Sequence, residues 1–237
     1  MLRSIKRLFG DKLGAVDGEI GHIKDFYFDD RNWGVRYVVA DTGSWLMGRL
    51  VLISPHAFGR LAPAGKVLPV HLTRKQIESS PSIESHKPVS RQYEEEYHRY
   101  YGWPYYWQGD ALWGMSSAPI LTLPATTPPI EPQSANGLPS GQADAHLWSV
   151  QAVLGYSLQA SDGTTGHVCD FMMDDHTWAI GQLVVKTGHR LSGQDVQIPA
   201  HKIDRISYEE STVFVNLTRE EVEQSPAHYL EAVAEVA

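Results

Sequence analysis

Residues 18–33 read GEIGHIKDFYFDDRNW and residues 163–178 read GTTGHVCDFMMDDHTW. Gly, Gly, His, Asp, Phe, Asp, Asp and Trp recur in the same places, 145 residues apart. The offset runs without a gap from residue 10 to residue 81, giving 28 identities in 72 positions against residues 155–226. Unrelated chains of ordinary composition would share about 4 or 5. The chain is therefore two copies of one small domain, because a period this long exceeds the roughly 20–50 residues of a solenoid unit. Any fold proposed for one copy must suit the other.

Each copy reads as a series of short strands. A brief helix is expected over residues 4–9 and 149–154, with Ser4 and Ser149 at the N-cap. The Asp17-Gly18 and Asp162-Gly163 turns suit positive φ. Strands follow over residues 19–28 and 164–173, then hairpin returns over 33–41 and 178–186, broken at Thr42-Gly43 and Thr187-Gly188. Val51/Ile53 and Val196/Ile198 alternate with outward residues on a third strand. A last strand ends at a short helix with a capping box, Thr73-x-x-Gln76 or Thr218-x-x-Glu221. Ile23 and Phe26 both read as core yet stand three apart on one strand, so a β-bulge is expected near Lys24-Asp25.

Between the copies the character changes. Residues 90–101 (SRQYEEEYHRYY) read as a helix capped by Ser90, with Tyr93, Tyr97 and Tyr100 on one face and an i,i+4 pair of Glu95 and Arg99. An aromatic run, YGWPYYWQGDALWG, follows Gly102. From residue 116 the composition turns to Pro, Ser, Thr and Ala, as in a flexible linker. The expected organisation is a first barrel over 1–81, a helix and aromatic segment packed on it over 82–115, a linker over 116–146, a second barrel over 147–228 and a tail over 229–237.

The formal charge of −8 argues against sequence-independent nucleic-acid binding, which is carried by Lys and Arg on phosphates. Cys169 is the only cysteine, so no disulfide framework within one chain is available. No stretch approaches the ~18–20 apolar residues of a membrane span. The start, MLRSIKRLFG, is too short and charged for a signal peptide, but its Leu2, Ile5, Leu8 and Phe9 beside Arg3, Lys6 and Arg7 could give weak peripheral membrane contact through residues 2–9. The expected setting is cytoplasmic. GxSxG, P-loop, HExxH and GxGxxG patterns are absent, and no enzyme activity, cofactor or metal is expected.

The segments DGEIGHIKDFYFDD, WGVRYVVADTGSWL, GRLVLISPHAFG, LPVHLTRKQIESSP and HRYYGWPYYW together resemble the PRC-barrel family. That family includes the cytoplasmic domain of the photosynthetic reaction-centre H subunit of purple bacteria and the C-terminal domain of RimM-type ribosome maturation factors. The first copy resembles it along residues 2–81. The second does so along 149–226, departing at Thr164-Thr165, Cys169 and Arg190-Leu191-Ser192. The resemblance implies a mainly β fold of two SH3-like PRC-type β-barrels with short flanking helices, in a bacterial, non-catalytic interaction or scaffold protein. It implies two alternatives: a membrane-peripheral accessory of an electron-transfer complex, like the H subunit, or a ribosome-maturation accessory.

The recurring His22/Asp25/Asp29/Asp30 set has metal-ligand and proton-relay chemistry. Its retention in both copies favours a folding role, with Asp29-Asp30 bonding backbone N–H groups in a turn. His56 and His201 read as hydrogen-bonded loop residues, and Cys169 as a covered thiol. Differences between copies say more about function. Leu50 and Leu52 stand where the second copy has Asp195 and Gln197, and Trp45 and Met47 stand where it has Arg190 and Ser192. The first copy thus carries an apolar outer patch, to be covered by the aromatic segment or by a protein partner of unknown identity. The candidate interaction residues are Trp45, Met47, Leu50, Leu52, Trp103, Tyr105, Tyr106 and Trp107. Val38, Val39, Leu183 and Val184 lie on strands apolar on both faces and are the expected contact of an intramolecular barrel–barrel pseudo-dimer.

Overall fold

Strand β3 (Gly18–Asp29) and its counterpart β9 (Gly163–Asp174) are the spines of two separate sheets. The computed structural model describes residues 1–58, 67–81, 89, 91–121, 147–188 and 193–228. The expected Ser90 cap, Arg190 and Ser192, most of the expected linker and the tail over 229–237 lie outside these residues. The chain divides into two units. Unit 1 is Met1, Arg7–Ser149 and Asp174–Ala179, and unit 2 is Leu2–Lys6, Val150–Met173 and Ile180–Ala237.

In unit 1, β3 is flanked on one side by β4 (Gly34–Asp41), which pairs in turn with β5 (Leu50–Ile53). On its other side β3 pairs with β2 (Lys12–Ala15), which takes β6 (Val67–Pro69) in parallel. Helices α1 (Arg74–Glu78) and α2 (Arg91–Tyr101) follow. The end of β3 also pairs with β7 (Leu147–Ser149), the opening strand of the second copy. Phe26, Phe28, Val38 and Ile53 are fully buried in this sheet, each such side chain contributing about 1.5–3 kcal/mol by leaving water.

Unit 2 repeats the plan. After α3 (Val150–Val153) come β8 (Ser157–Ala160), β9, β10 (Ile180–Lys186), β11 (Asp195–Pro199), β12 (Ile203–Ser207), β13 (Thr212–Val215) and α4 (Arg219–Glu223). The path is β11-β10-β9-β8-β13-β12, with β13 parallel to β8. Strand β1 (Leu2–Ser4), the opening strand of the first copy, pairs with β9. Each unit thus holds the opening strand of the other copy.

The barrel expectation is not met. Both sheets are mixed and open at their ends: among the described residues β5 does not pair with β6, nor β11 with β12. One isolated bridge, Phe58 to Val70, joins the segments beyond β5 and β6. The edges that closure would need are taken by other groups, one way proteins protect a strand edge. The Tyr97 hydroxyl donates to Leu52 O at 2.5 Å on β5. On β11, Gln197 N donates to Pro226 O at 2.8 Å and His228 N to Asp195 O at 2.7 Å.

No barrel–barrel pseudo-dimer is formed either. Val38, Val39, Leu183 and Val184 are buried on middle strands, β4 lying between β3 and β5 and β10 between β9 and β11. The short opening helices lie within the expected spans, as a 3-10 turn (Lys6–Leu8) and α3 (Val150–Val153), while Ser4 and Ser149 end the strands that precede them, Leu2–Ser4 and Leu147–Ser149. Of the apolar residues in 2–9, Ile5 and Leu8 are buried and Phe9 is half-buried, while Leu2 is exposed; Ile5 N donates to Phe171 O at 2.9 Å. Among the described residues no helix is long and apolar enough to cross a membrane.

The bulge stands where Ile23 and Phe26 require it. Pairing of β3 with β4 slips between Ile23 and Asp25, and that of β9 with β10 slips at the matching place, between Val184 and Val185. Both capping boxes form, with Thr73 Oγ1 accepting from Gln76 N and Thr218 Oγ1 from Glu221 N, each at 3.2 Å. Asp17 and Asp162 add a second acceptor at these helix starts, taking Arg74 N and Arg219 N at 2.8 Å.

Candidate functional site

The part of unit 1 without a counterpart in the second copy is α2 and the aromatic run after it. Its C-terminus is closed by Gly102, whose φ of +71° is the left-handed conformation that favours glycine. Gly102 N bonds Arg99 O at 3.2 Å and Trp103 N bonds His98 O at 2.9 Å, a Schellman closure. The turn sends the chain back along the helix. Tyrosine hydroxyls then tie the segment to backbone carbonyls: Tyr93 to Pro81 at 2.8 Å, Tyr97 to Leu52 at 2.5 Å and Tyr100 to Gln76 at 2.9 Å. Buried tyrosines need such partners.

Beneath this cover lies a buried polar cluster. Tyr37 on β4, Glu94 and His98 on α2, and Tyr106 on the run are all buried. The Tyr37 oxygen is 3.0 Å from both Glu94 Oε1 and His98 Nε2. Tyr106 donates to Glu94 Oε1 at 2.6 Å, and Arg91 Nη1 reaches Glu94 Oε2 at 3.0 Å. His98 Nδ1 is 2.9 Å from Pro104 O. A carbonyl only accepts, so Nδ1 carries the proton. Burial lowers the His98 pKa to about 4, so the ring is neutral at pH 7 and Nε2 is an acceptor. Tyr37 therefore has one proton for two acceptors, Glu94 and His98. Burial also pushes the hydroxyls of Tyr37, Tyr97 and Tyr106 well above the usual phenol range.

Two further groups line the cluster. Arg36 is fully buried, with Nη2 on Asp29 Oδ2 at 3.2 Å and Nη1 on Leu112 O at 2.5 Å. Its guanidinium lies over the rings of Tyr106, at 4.0 Å, and Trp113, at 5.0 Å, a cation–π stack strengthened by desolvation. His56 is buried, with Nδ1 2.9 Å from Ile120 O, and its Nε2 has no hydrogen-bond partner among the described residues. Burial is the main cause that lowers its pKa.

The structure separates the eight candidate interaction residues. Leu52, Trp103 and Tyr106 are buried and take no part in any surface. Trp45, Leu50, Tyr105 and Trp107 are half-buried, and Met47 is 97% exposed. Met47 crowns a loop that is tied rather than loose. Gly48 N bonds Gly43 O at 2.6 Å, Arg49 N bonds Leu46 O at 3.0 Å, and Thr42 Oγ1 donates to Arg49 O at 2.7 Å. Arg49 anchors the base by donating to the carbonyls of Glu78 and Ser80. Arg74 lies 4.5 Å from the Trp45 ring centroid. Met47 itself has φ +52°, a left-handed conformation that costs a non-glycine residue about 1 kcal/mol.

Sequence reasoning missed Arg36, Tyr37, Glu94 and His98. The signal was present: Arg36 and Tyr37 interrupt an otherwise apolar strand, GVRYVVAD, where the second copy has Gly181 and Gln182. A cation in a strand buried on both faces demands partners, and Asp29 on β3 and Leu112 O in the aromatic run supply them.

The recurring acidic residues hold backbone and strands. Asp25 Oδ1 accepts from Phe26 N at 2.7 Å and Asp170 Oδ1 from Phe171 N at 2.7 Å, within the bulges. Their other oxygens accept from the opening strand, Asp25 from Ser149 Oγ at 2.5 Å and Asp170 from Ser4 Oγ. Asp29 Oδ1 takes Arg31 N, Asp174 Oδ1 takes Thr177 N and Asp30 takes Trp148 Nε1. His22 is exposed, with only a 4.0 Å approach to Asp41. Cys169 is half-buried against Val184 O, and burial pushes its thiol up to about 11. No group of three or more His, Cys, Asp or Glu side chains among the described residues is placed to hold a metal ion.

No family model and no curated protein matches the chain. With both sheets open and mixed, the PRC-barrel resemblance is not upheld, and the likeness to the reaction-centre H subunit falls with it.

Proposed function

We propose that the chain is a non-catalytic interaction protein that engages a protein partner through the loop at residues 43–48 of unit 1. The observation that carries this reading is Met47, 97% exposed at the tip of a loop fastened at its base. An apolar side chain held out in water in a strained conformation gains stability only by being covered. A loop already ordered loses little conformational freedom on binding. Methionine adapts to the pocket it meets, and tryptophan is enriched among residues that dominate binding energy, so Trp45 and Met47 make a suitable anchor pair. The lone Cys169 supports a reducing, cytoplasmic setting.

The test compares what immobilised wild type and Met47→Asp capture from a lysate, with melting curves as a control. The variant is expected to melt as wild type does, because Met47 packs on no core. It is expected to lose one stoichiometric partner, with affinity down by at least about 30-fold, as for a hot-spot residue worth some 2 kcal/mol. Recovery of the same proteins in the same amounts by both chains removes the reading.

A further inference from the structure

The two opening strands are docked by the same chemistry in different units. In unit 1, β7 lies antiparallel to the end of β3 in the register Tyr27↔Ser149, Phe28↔Trp148, Asp29↔Leu147. Ser149 Oγ donates to Asp25 Oδ2, and Trp148 Nε1 donates to Asp30 Oδ2 at 2.8 Å. In unit 2, β1 pairs with β9. Ser4 Oγ donates to Asp170 Oδ2, and Lys6 N donates to Asp170 Oδ1 at 3.0 Å. Every chain therefore carries two donor strands and two acceptor edges, and each donor fits an edge of the other copy.

We propose that a second copy of this chain can fill the same positions: its Leu147–Ser149 segment docks on β3 of the first, in a reciprocal exchange that makes a dimer. Three observations carry this. The donor is short, three residues beside the twelve of β3, and short strands of this kind are among the lower-cost local openings of a fold. The acceptor is a strand edge, the surface on which added strands are recognised by main-chain hydrogen bonds. The contacts in the exchanged dimer are the same side chains in the same register. The monomer then wins only through the effective concentration that comes from carrying both copies on one chain, of millimolar order for linked partners. Domain swapping is the low-cost route to dimers under such conditions. The proposal is independent of the loop at residues 43–48.

The test uses full-length chains with Cys169→Ser, so that no native thiol competes. Tyr27 and Ser149 oppose each other across the ladder, a spacing of roughly 4.5–5.5 Å between Cβ atoms, close enough for a disulfide after small adjustment. A double variant, Tyr27→Cys with Ser149→Cys, is expected to close within one chain in dilute oxidising buffer. Singly substituted Tyr27→Cys and Ser149→Cys chains of different mass are unfolded together and refolded as a mixture. The expected product is a covalent heterodimer, its yield rising about tenfold for a tenfold rise in concentration at low conversion. Closure of the double variant with no heterodimer from the mixture at about 1 mM overturns the proposal. Failure of the double variant to close overturns it as well, because the register it relies on would be wrong.

Discussion

His98 shows how one side chain couples the aromatic segment to pH. Around it stand Tyr37 from β4, Glu94 and Arg91 from α2, Tyr106 from the returning run, and His56 at 6.4 Å between ring centroids. Burial holds its pKa at about 4 when folded, against about 6.5 in the unfolded chain. As pH falls, the unfolded state takes up the proton first. Stability present above about pH 6.5 is therefore lost progressively down to pH 4, by of order 2–3 kcal/mol for this group. His56, also lowered, acts in the same direction. Urea unfolding at pH 7 and pH 4.5 is expected to show a smaller loss for His98→Gln than for wild type; equal losses would mean that His98 stays unprotonated in both states or is protonated in both. Little of this could be read in the sequence. His98 sits in a run of tyrosines that looks like one helical face, and its neighbours Tyr37 and Arg36 lie about 60 positions upstream. The recurring aspartates were legible as folding residues, but the role of Asp25 in holding Ser149 was not, because the two are 124 positions apart.

At the scale of elements, the recurring glycines divide into those that need space and those that need only a conformation. A Cβ on Gly21 would lie 2.0 Å from Asp41 O, and one on Gly166 2.2 Å from Lys186 O. Both are backbone atoms of the neighbouring strand and cannot turn away. Gly10 also has positive φ, but a Cβ there would meet nothing within 4 Å. Gly10→Ala is expected to cost about 1–2 kcal/mol from conformation alone. Gly21→Ala and Gly166→Ala are expected to cost well over about 4 kcal/mol, the exceptional range that signals a clash in the interior. Thermal melts of the three variants check the order; a Gly21→Ala chain as stable as Gly10→Ala would refute the close approach of β3 and β4. The recurrence of Gly21 at Gly166 was plain in the sequence, and so were the capping boxes and the bulge, because these depend on neighbours a few positions away. Within residues 4–9 the helical turn was legible, standing at Lys6–Leu8, but the role of Ser4 was not. Ser4 looks like a local cap, but its partner is Asp170 in unit 2, and pairing with β9 overrides local preference.

For the whole molecule, duplication was legible and closure was not. Strand count and turn spacing suit a barrel as well as an open sheet, and the choice lies in what occupies β5 and β11. Tyr97 and Pro226 do so, and neither belongs to the strand pattern. The exchange of opening strands was hidden too, since a gapless repeat invites the reading that each copy folds on itself. The unit boundaries contradict that reading, with Leu2–Lys6 in unit 2 and Leu147–Ser149 in unit 1. The two copies should then be inseparable as folding units. A fragment of residues 1–121 lacks β7, so the end of β3 keeps an unpaired edge and Asp25 loses its serine. A fragment of residues 147–237 lacks β1, and Asp170 loses Ser4 and the Lys6 amide together. Small domains bury only about 60% of their unfolded surface and have little stability to spare. Each fragment alone is therefore expected to melt broadly and early. An equimolar mixture, in which each fragment supplies the strand the other lacks, should recover a cooperative transition near that of the intact chain. Circular dichroism melts of the two fragments and their mixture decide it: if either fragment alone melts as sharply and as high as the mixture, each copy completes its own sheet and the exchanged strands contribute nothing to stability.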